Sequence, residues 1–230
     1  MRSDDPGAKV IVWDLPARVC HWGFALSVSA SLVIAFRFNP ENAIFKYHML
    51  LGLVAVWFLA IRIGLGFFGG AQSRWRAFVH SPRRIARYFA EVIRWRTNEH
   101  EGLNPGTALF APAVYLALVA LIVTGFDADW VQTWHGWLSW GVIGLIGAHL
   151  FGLTLHALRH RELSPLAMVH GKVSQRPGAG PATPRTTAGV VLFAASALVA
   201  WWAYRYFDLD TSTLRLPFLP EISLPLIQKG

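Results

Sequence analysis

Nine histidines are distributed along the chain: His21, His48, His80, His100, His135, His149, His156, His160 and His170. Imidazole titrates near neutral pH, relays protons and is the commonest nitrogen ligand for metals. His149 follows His135 by fourteen positions. On a helix that interval is about 21 Å of rise, and the two side chains return to within roughly 40° of one direction. One helix would therefore present two imidazoles along one face at two heights. His156 follows His149 by one heptad, on nearly the same face. What such residues can do depends on the elements that carry them.

Composition places those elements in a membrane. The chain has 230 residues, of which 54% are hydrophobic and only 15% charged, whereas soluble domains carry roughly 25% charged residues. This apolar content excludes a disordered chain. The single Cys20 excludes a disulfide framework. A spanning helix takes roughly 20 mostly apolar residues, and five stretches qualify: 19–38, 47–68, 107–126, 134–157 and 187–207. The expected fold class is all-α integral membrane, a four-helix bundle with a fifth C-terminal transmembrane helix. A long charged lead precedes the first run, and His21-Trp22 opens it with polar chemistry. It therefore reads as a membrane helix rather than a cleaved signal peptide.

The net charge of +8 would point to nucleic acid in a soluble protein. Here its distribution matters more than its size, and no nucleic-acid partner is expected. Cytoplasmic loops are enriched in Lys and Arg. With the N-terminus inside, fifteen Lys and Arg fall on the cytoplasmic side and five on the other, with Arg62 inside the second span. The reading is a bacterial inner-membrane protein, multi-pass, with its N-terminus cytoplasmic and C-terminus periplasmic. Residues 1–173 would form the bundle domain. Within it, Ser81-Pro82 caps an amphipathic helix over 82–97, with Ile85, Tyr88, Phe89, Val92 and Trp95 on one face and arginines on the other. It would lie on the inner leaflet. Residues 174–186 read as a Pro/Gly linker, 187–207 as the fifth helix and 208–230 as a periplasmic tail.

Five histidines lie in or at the edges of spans, where an ionisable side chain is a functional hypothesis by default. His21 sits at the inner end of the first span and His48 at the outer end of the second. His135 sits at the outer start of the fourth, with His149 deeper. His48 can meet His135 near the outer surface, and His21 can meet His149 near the inner one. His156 competes with His149 if the first span sits lower. Two imidazoles from facing helices suit six-coordinate haem iron. Zinc would want four ligands converging at one point. A proton relay would favour acidic partners, and none lies inside these spans. Gly23, Gly52, Gly136, Gly147 and Gly152 flank the ligands and would admit a porphyrin or a neighbouring helix.

These stretches resemble the bacterial di-haem cytochrome b561 and Ni,Fe-hydrogenase-type cytochrome b membrane subunits. The similarity is carried by Val12-Trp13-Asp14-Leu15-Pro16-Ala17-Arg18-Val19-Cys20-His21-Trp22 and by Lys46-Tyr47-His48-Met49-Leu50-Leu51-Gly52. Further matches are Asn104-Pro105-Gly106, Trp134-His135-Gly136 and Gly147-Ala148-His149-Leu150. It covers roughly residues 9–173 and leaves out the fifth span and tail. The resemblance implies a four-helix core with two b haems. His21 and His149 would hold the inner haem, and His48 and His135 the outer one. Arg18 would serve an inner propionate, Lys46 and Arg37 an outer one, and His156 a propionate or water.

The implied activity is electron transfer across the membrane, as a subunit of a quinol:acceptor oxidoreductase. Ubiquinone or menaquinone would be the diffusible substrate and a periplasmic cytochrome c the partner. The alternative is the membrane anchor and haem subunit of a hydrogenase or formate dehydrogenase-type complex that reduces quinone. A His-lined transporter fits less well, because neither inverted repeats nor broken helices are visible. Covalent c-type haem is excluded, since the chain has no C-x-x-C-H.

Overall fold

The structure is a computed structural model that describes residues 9–96, 103–125, 131–160, 166–174, 183–208, 211, 213–214 and 222–223. Among these, five helices are long and apolar enough to cross a membrane. They are α1 (Leu15–Arg37), α2 (Lys46–Phe68), α4 (Pro105–Gly125), α5 (Val131–His160) and α7 (Thr186–Tyr206). The shorter helices are α3 (Pro82–Ile93) and α6 (Ala167–His170). Short antiparallel strands complete the fold: β1 (Lys9–Ile11) with β2 (Lys172–Ser174), and β3 (Phe207–Asp208) with β4 (Thr213–Leu214), which also pairs with β5 (Ile222–Ser223).

Helix α1 starts four residues before the apolar run expected at 19. Asp14 is its cap: Oδ1 accepts from the Ala17 backbone N–H at 3.0 Å, and Pro16 sits in the first turn. Both are favoured at helix starts because they satisfy or remove donors that have no intrahelical partner. Apolar length registers only the bilayer-depth part of the helix, so this extension escaped it. Helix α3 begins at Pro82 as expected, with Ser81 Oγ accepting from the Arg84 N–H. It stops at Ile93, short of 97, and Trp95 just beyond has a left-handed φ of 56°. On this helix Tyr88 packs at Gly106, the start of α4. Burial pushes the Tyr88 phenol pKa up, and the Arg159 charge opposes that rise.

The helices form two layers. Helix α1 packs along α2, and α4 packs along α5, while α2 and α4 meet only slightly. Val28, Ala55, Leu118, Leu121 and Val142 bridge the layers as a buried cluster, joined by Phe24, Leu32 and Ile146. Helix α7 covers α1 and α2 from outside the bundle. Trp57 Nε1–H donates to Ser196 Oγ at 3.0 Å, and Arg185 Nη1–H donates to the Phe68 carbonyl at 2.8 Å. Such bonds between helices are a main source of association where lipid supplies no hydrophobic drive. On the N-terminal half of α5, Trp134, Trp137 and Trp140 are exposed, as befits an aromatic belt at the membrane interface.

Both ends of the bundle carry a small sheet. Next to the start of α1, the Gly171 carbonyl accepts from Val12 N–H at 2.8 Å, and Gly171 adopts φ 79° at the turn from α6 into β2. Trp22 Nε1–H donates to the Met168 carbonyl at 2.9 Å. Next to the start of α2, Phe207 and Leu214 pack with Ala203 on Leu50, flanked by Tyr47, Met49 and Leu53. The described part of the tail therefore lies on its own bundle. The expected linker over 174–186 overlaps ordered elements, since Ser174 belongs to β2 and Thr186 to α7; residues 175–182 fall outside the described residues.

Candidate haem sites

Helices α2 and α5 bring His48 and His135 together. Their ring centroids are 6.1 Å apart and the rings lie at 86° to each other. Each ring is pinned through Nδ1. His48 Nδ1 lies 2.9 Å from the Ser31 carbonyl of α1 and 2.8 Å from Ser31 Oγ. Ser31 Oγ–H in turn donates to the His48 carbonyl at 3.1 Å. His135 Nδ1 lies 3.1 Å from the Leu121 carbonyl of α4 and 3.2 Å from Thr124 Oγ1. A carbonyl oxygen can only accept, so both Nδ1 atoms carry the proton. Nε2 is then the lone-pair nitrogen of each ring, the arrangement found in metal-ligating histidines.

At the other level, His21 of α1 and His149 of α5 lie within electrostatic reach of one another. The Phe110 ring of α4 stacks on His149 at 4.9 Å and 14°. His156 is half-buried one heptad further along α5. Between the two levels sits the bridging cluster. Val142 is wholly buried and lies midway in sequence between His135 and His149. Val28 lies one heptad after His21, and Ala55 one heptad after His48. Each helix that carries one of these histidines thus sends one small side chain into the apolar layer that separates the pairs.

The donor chemistry fits haem. Among the described residues no three His, Cys, Asp or Glu converge on a point. Each level offers two imidazoles, and a porphyrin supplies four nitrogens of its own. His48 and His135, 6.1 Å apart between ring centres, would be the residues to hold such a group from two helices.

The flanking residues are more varied. Gly23 faces α2, where a Cβ would collide with the Phe58 ring, so it serves helix packing; Gly52, Gly136, Gly147 and Gly152 have nothing within 4 Å of an added Cβ. Arg18 reaches away from its helix, with Nη1–H donating to the Val169 carbonyl at 3.0 Å. Lys46 opens α2 two residues before His48, and Arg37 is exposed in the last turn of α1. The second layer of contacts, Ser31, the Leu121 carbonyl, Thr124 and Phe110, escaped the sequence reading. Backbone acceptors have no residue signature, and the partners come from other helices. Arg62 was also passed over, although its spacing from His48 repeats that of His149 from His135.

A helical membrane bundle with imidazoles paired at two depths is the architecture of a membrane-bound b-type cytochrome. Residues 12–171 match the family model for prokaryotic cytochrome b561, and the chain belongs to that family. It is a multi-pass bacterial membrane protein of haem b electron transfer. Among curated proteins it is similar to a probable Ni/Fe-hydrogenase B-type cytochrome subunit of Bradyrhizobium diazoefficiens. The two are 24% identical over an alignment covering 71% of this chain and 85% of that protein. No solved structure matches the chain.

Proposed function

We propose that His48 and His135 ligate an outer b haem, that His21 and His149 ligate an inner one, and that the chain carries electrons across the bilayer between quinone and a redox partner. The observation that carries this reading is the His48–His135 pair, with both Nδ1 protons committed to carbonyls of neighbouring helices. When bound, haem iron supplies reversible one-electron chemistry. The residues of the chain supply everything around it. Ser31 and the Leu121 carbonyl fix ring orientation and tautomer, which outer-shell partners of ligating histidines commonly do. The cluster around Val142 keeps water out of the layer between the levels. Arg18, Lys46 and Arg37 are cations near helix ends that would pair with propionates, and His156 is the further polar group beyond His149 on α5.

The excess of Lys and Arg on one side supports a cytoplasmic N-terminus and periplasmic C-terminus. Ubiquinone or menaquinone is the membrane substrate on this reading, and a periplasmic cytochrome c the partner. A second reading draws on the relative's name: the chain is the membrane haem subunit of a hydrogenase-type complex and delivers electrons to quinone.

Proteoliposomes test transmembrane transfer. With ferricyanide trapped inside and dithionite outside, the wild-type chain is expected to bleach the ferricyanide, and His149→Ala is not. Equal bleaching by both would contradict a path through the inner pair. Reduced quinone added in detergent should then reduce the wild-type haems.

A further inference from the structure

Arg62 follows His48 on α2 by fourteen positions, the interval that separates His135 from His149 on α5. The same helical arithmetic sets it about 21 Å deeper than His48 and within roughly 40° of the same direction. That is the level of His21 and His149. Its neighbours agree. Cys20, adjacent to His21 in the chain, lies within electrostatic range of Arg62. Tyr115, which bonds Arg62, meets the Phe24 ring at 6.4 Å, and Phe24 is three residues after His21.

The guanidinium is held firmly. Nε–H donates to the Tyr115 hydroxyl at 2.8 Å, and Nη1–H to the Ser73 carbonyl at 3.0 Å. Its carbon stands 5.2 Å from the Trp75 ring centre, 5.0 Å from Phe78 and 5.1 Å from Tyr115. Trp75 can close this cage only because Gly66, one turn beyond Arg62, lacks a Cβ that would strike the indole. Among the described residues, the groups that hold the cation are neutral: a hydroxyl, a carbonyl and three ring faces. Ring faces attract a guanidinium without cancelling its charge, and Arg does not deprotonate in proteins. A full positive charge inside a spanning segment is costly and marks function by default.

Resting on the two-haem reading, we propose that Arg62 is a fixed charge that raises the reduction potential of the inner haem by stabilising the added electron. It positions charge and does not ligate. The cage holds the guanidinium at one place, so its effect falls on the inner level and not on the outer one.

Redox titration of the full chain in detergent, followed by haem absorbance, tests this. His135→Ala, which removes the outer ligand, identifies which midpoint is the inner one. Arg62→Gln is expected to lower the inner midpoint and leave the outer in place, and Arg62→Lys, which keeps the charge, to restore most of the difference. Both midpoints unchanged in an Arg62→Gln protein that still holds both haems would overturn the inference and leave the haem assignment standing. A wild-type protein without haem would remove that assignment itself. If Arg62→Gln does not load haem, Arg62→Met decides, since it keeps an apolar stem among the three rings and deletes the charge. A shift confined to the inner midpoint supports the inference, and no shift overturns it.

Discussion

Replacing His48 with Ala is expected to remove one b haem from the purified protein and to leave the other. The substitution deletes one of two imidazoles 6.1 Å apart, so a haem held there would keep a single protein ligand. The loss should be local, because the inner pair lies about 21 Å further along the helices, and the bonds of Ser31, Leu121 and Thr124 described above go to His48 and His135. His135→Ala is expected to give the same spectrum. Haem per chain falls by about half in each, since axial ligation is what retains a non-covalent b haem. Transmembrane transfer falls to background in both. Pyridine haemochrome assay of the two variants checks this. Loss of the inner haem alone from either variant would contradict the pairing.

Val142→Asp is expected to abolish the folded, haem-loaded protein altogether. Val142 has no exposed surface and packs with Val28, Ala55, Leu118 and Leu121 midway between the ligand levels. An Asp near the centre of a spanning helix costs about 2.5–3.5 kcal/mol at insertion. The cluster offers it no hydrogen-bond donor. Val142→Ala only thins the packing, at a cost of order 1 kcal/mol, and should keep both haems with a lower melting temperature. Size-exclusion profiles read at the haem band separate the two. The cluster joins both helix layers, so Val142→Asp takes both haems together, unlike the histidine variants. A Val142→Asp protein that elutes and absorbs like wild type would show that this layer does not hold the bundle.

The sequence made the large features legible because each rests on a local rule. Apolar length located the five helices, and the interval from His135 to His149 on α5 set two imidazoles at two depths. The His48–His135 meeting followed from depth alone. Helix ends were read less well: Asp14 and Pro16 extend α1 beyond its apolar run, and the left-handed Trp95 lies just past the end of α3. The pairing of β1 with β2 joins segments at opposite ends of the four-helix region, and such short strands carry no periodicity that would announce it. Gly23 left open a cofactor or a neighbouring helix, and the Phe58 ring of α2 decides for the helix. The Arg62 cage needed residues from α2, α4 and the intervening loop. Its one legible sign was the spacing from His48, which only becomes informative once the two histidines of α5 have shown what that interval means.

Haem content per chain is the measurement closest to the heart of this account. The wild-type protein, purified in mild detergent and assayed as the pyridine haemochrome against its protein concentration, is expected to carry about two b haems per chain. A value near one would leave only one imidazole pair at work, and a value near zero would end the reading of these four histidines as axial ligands.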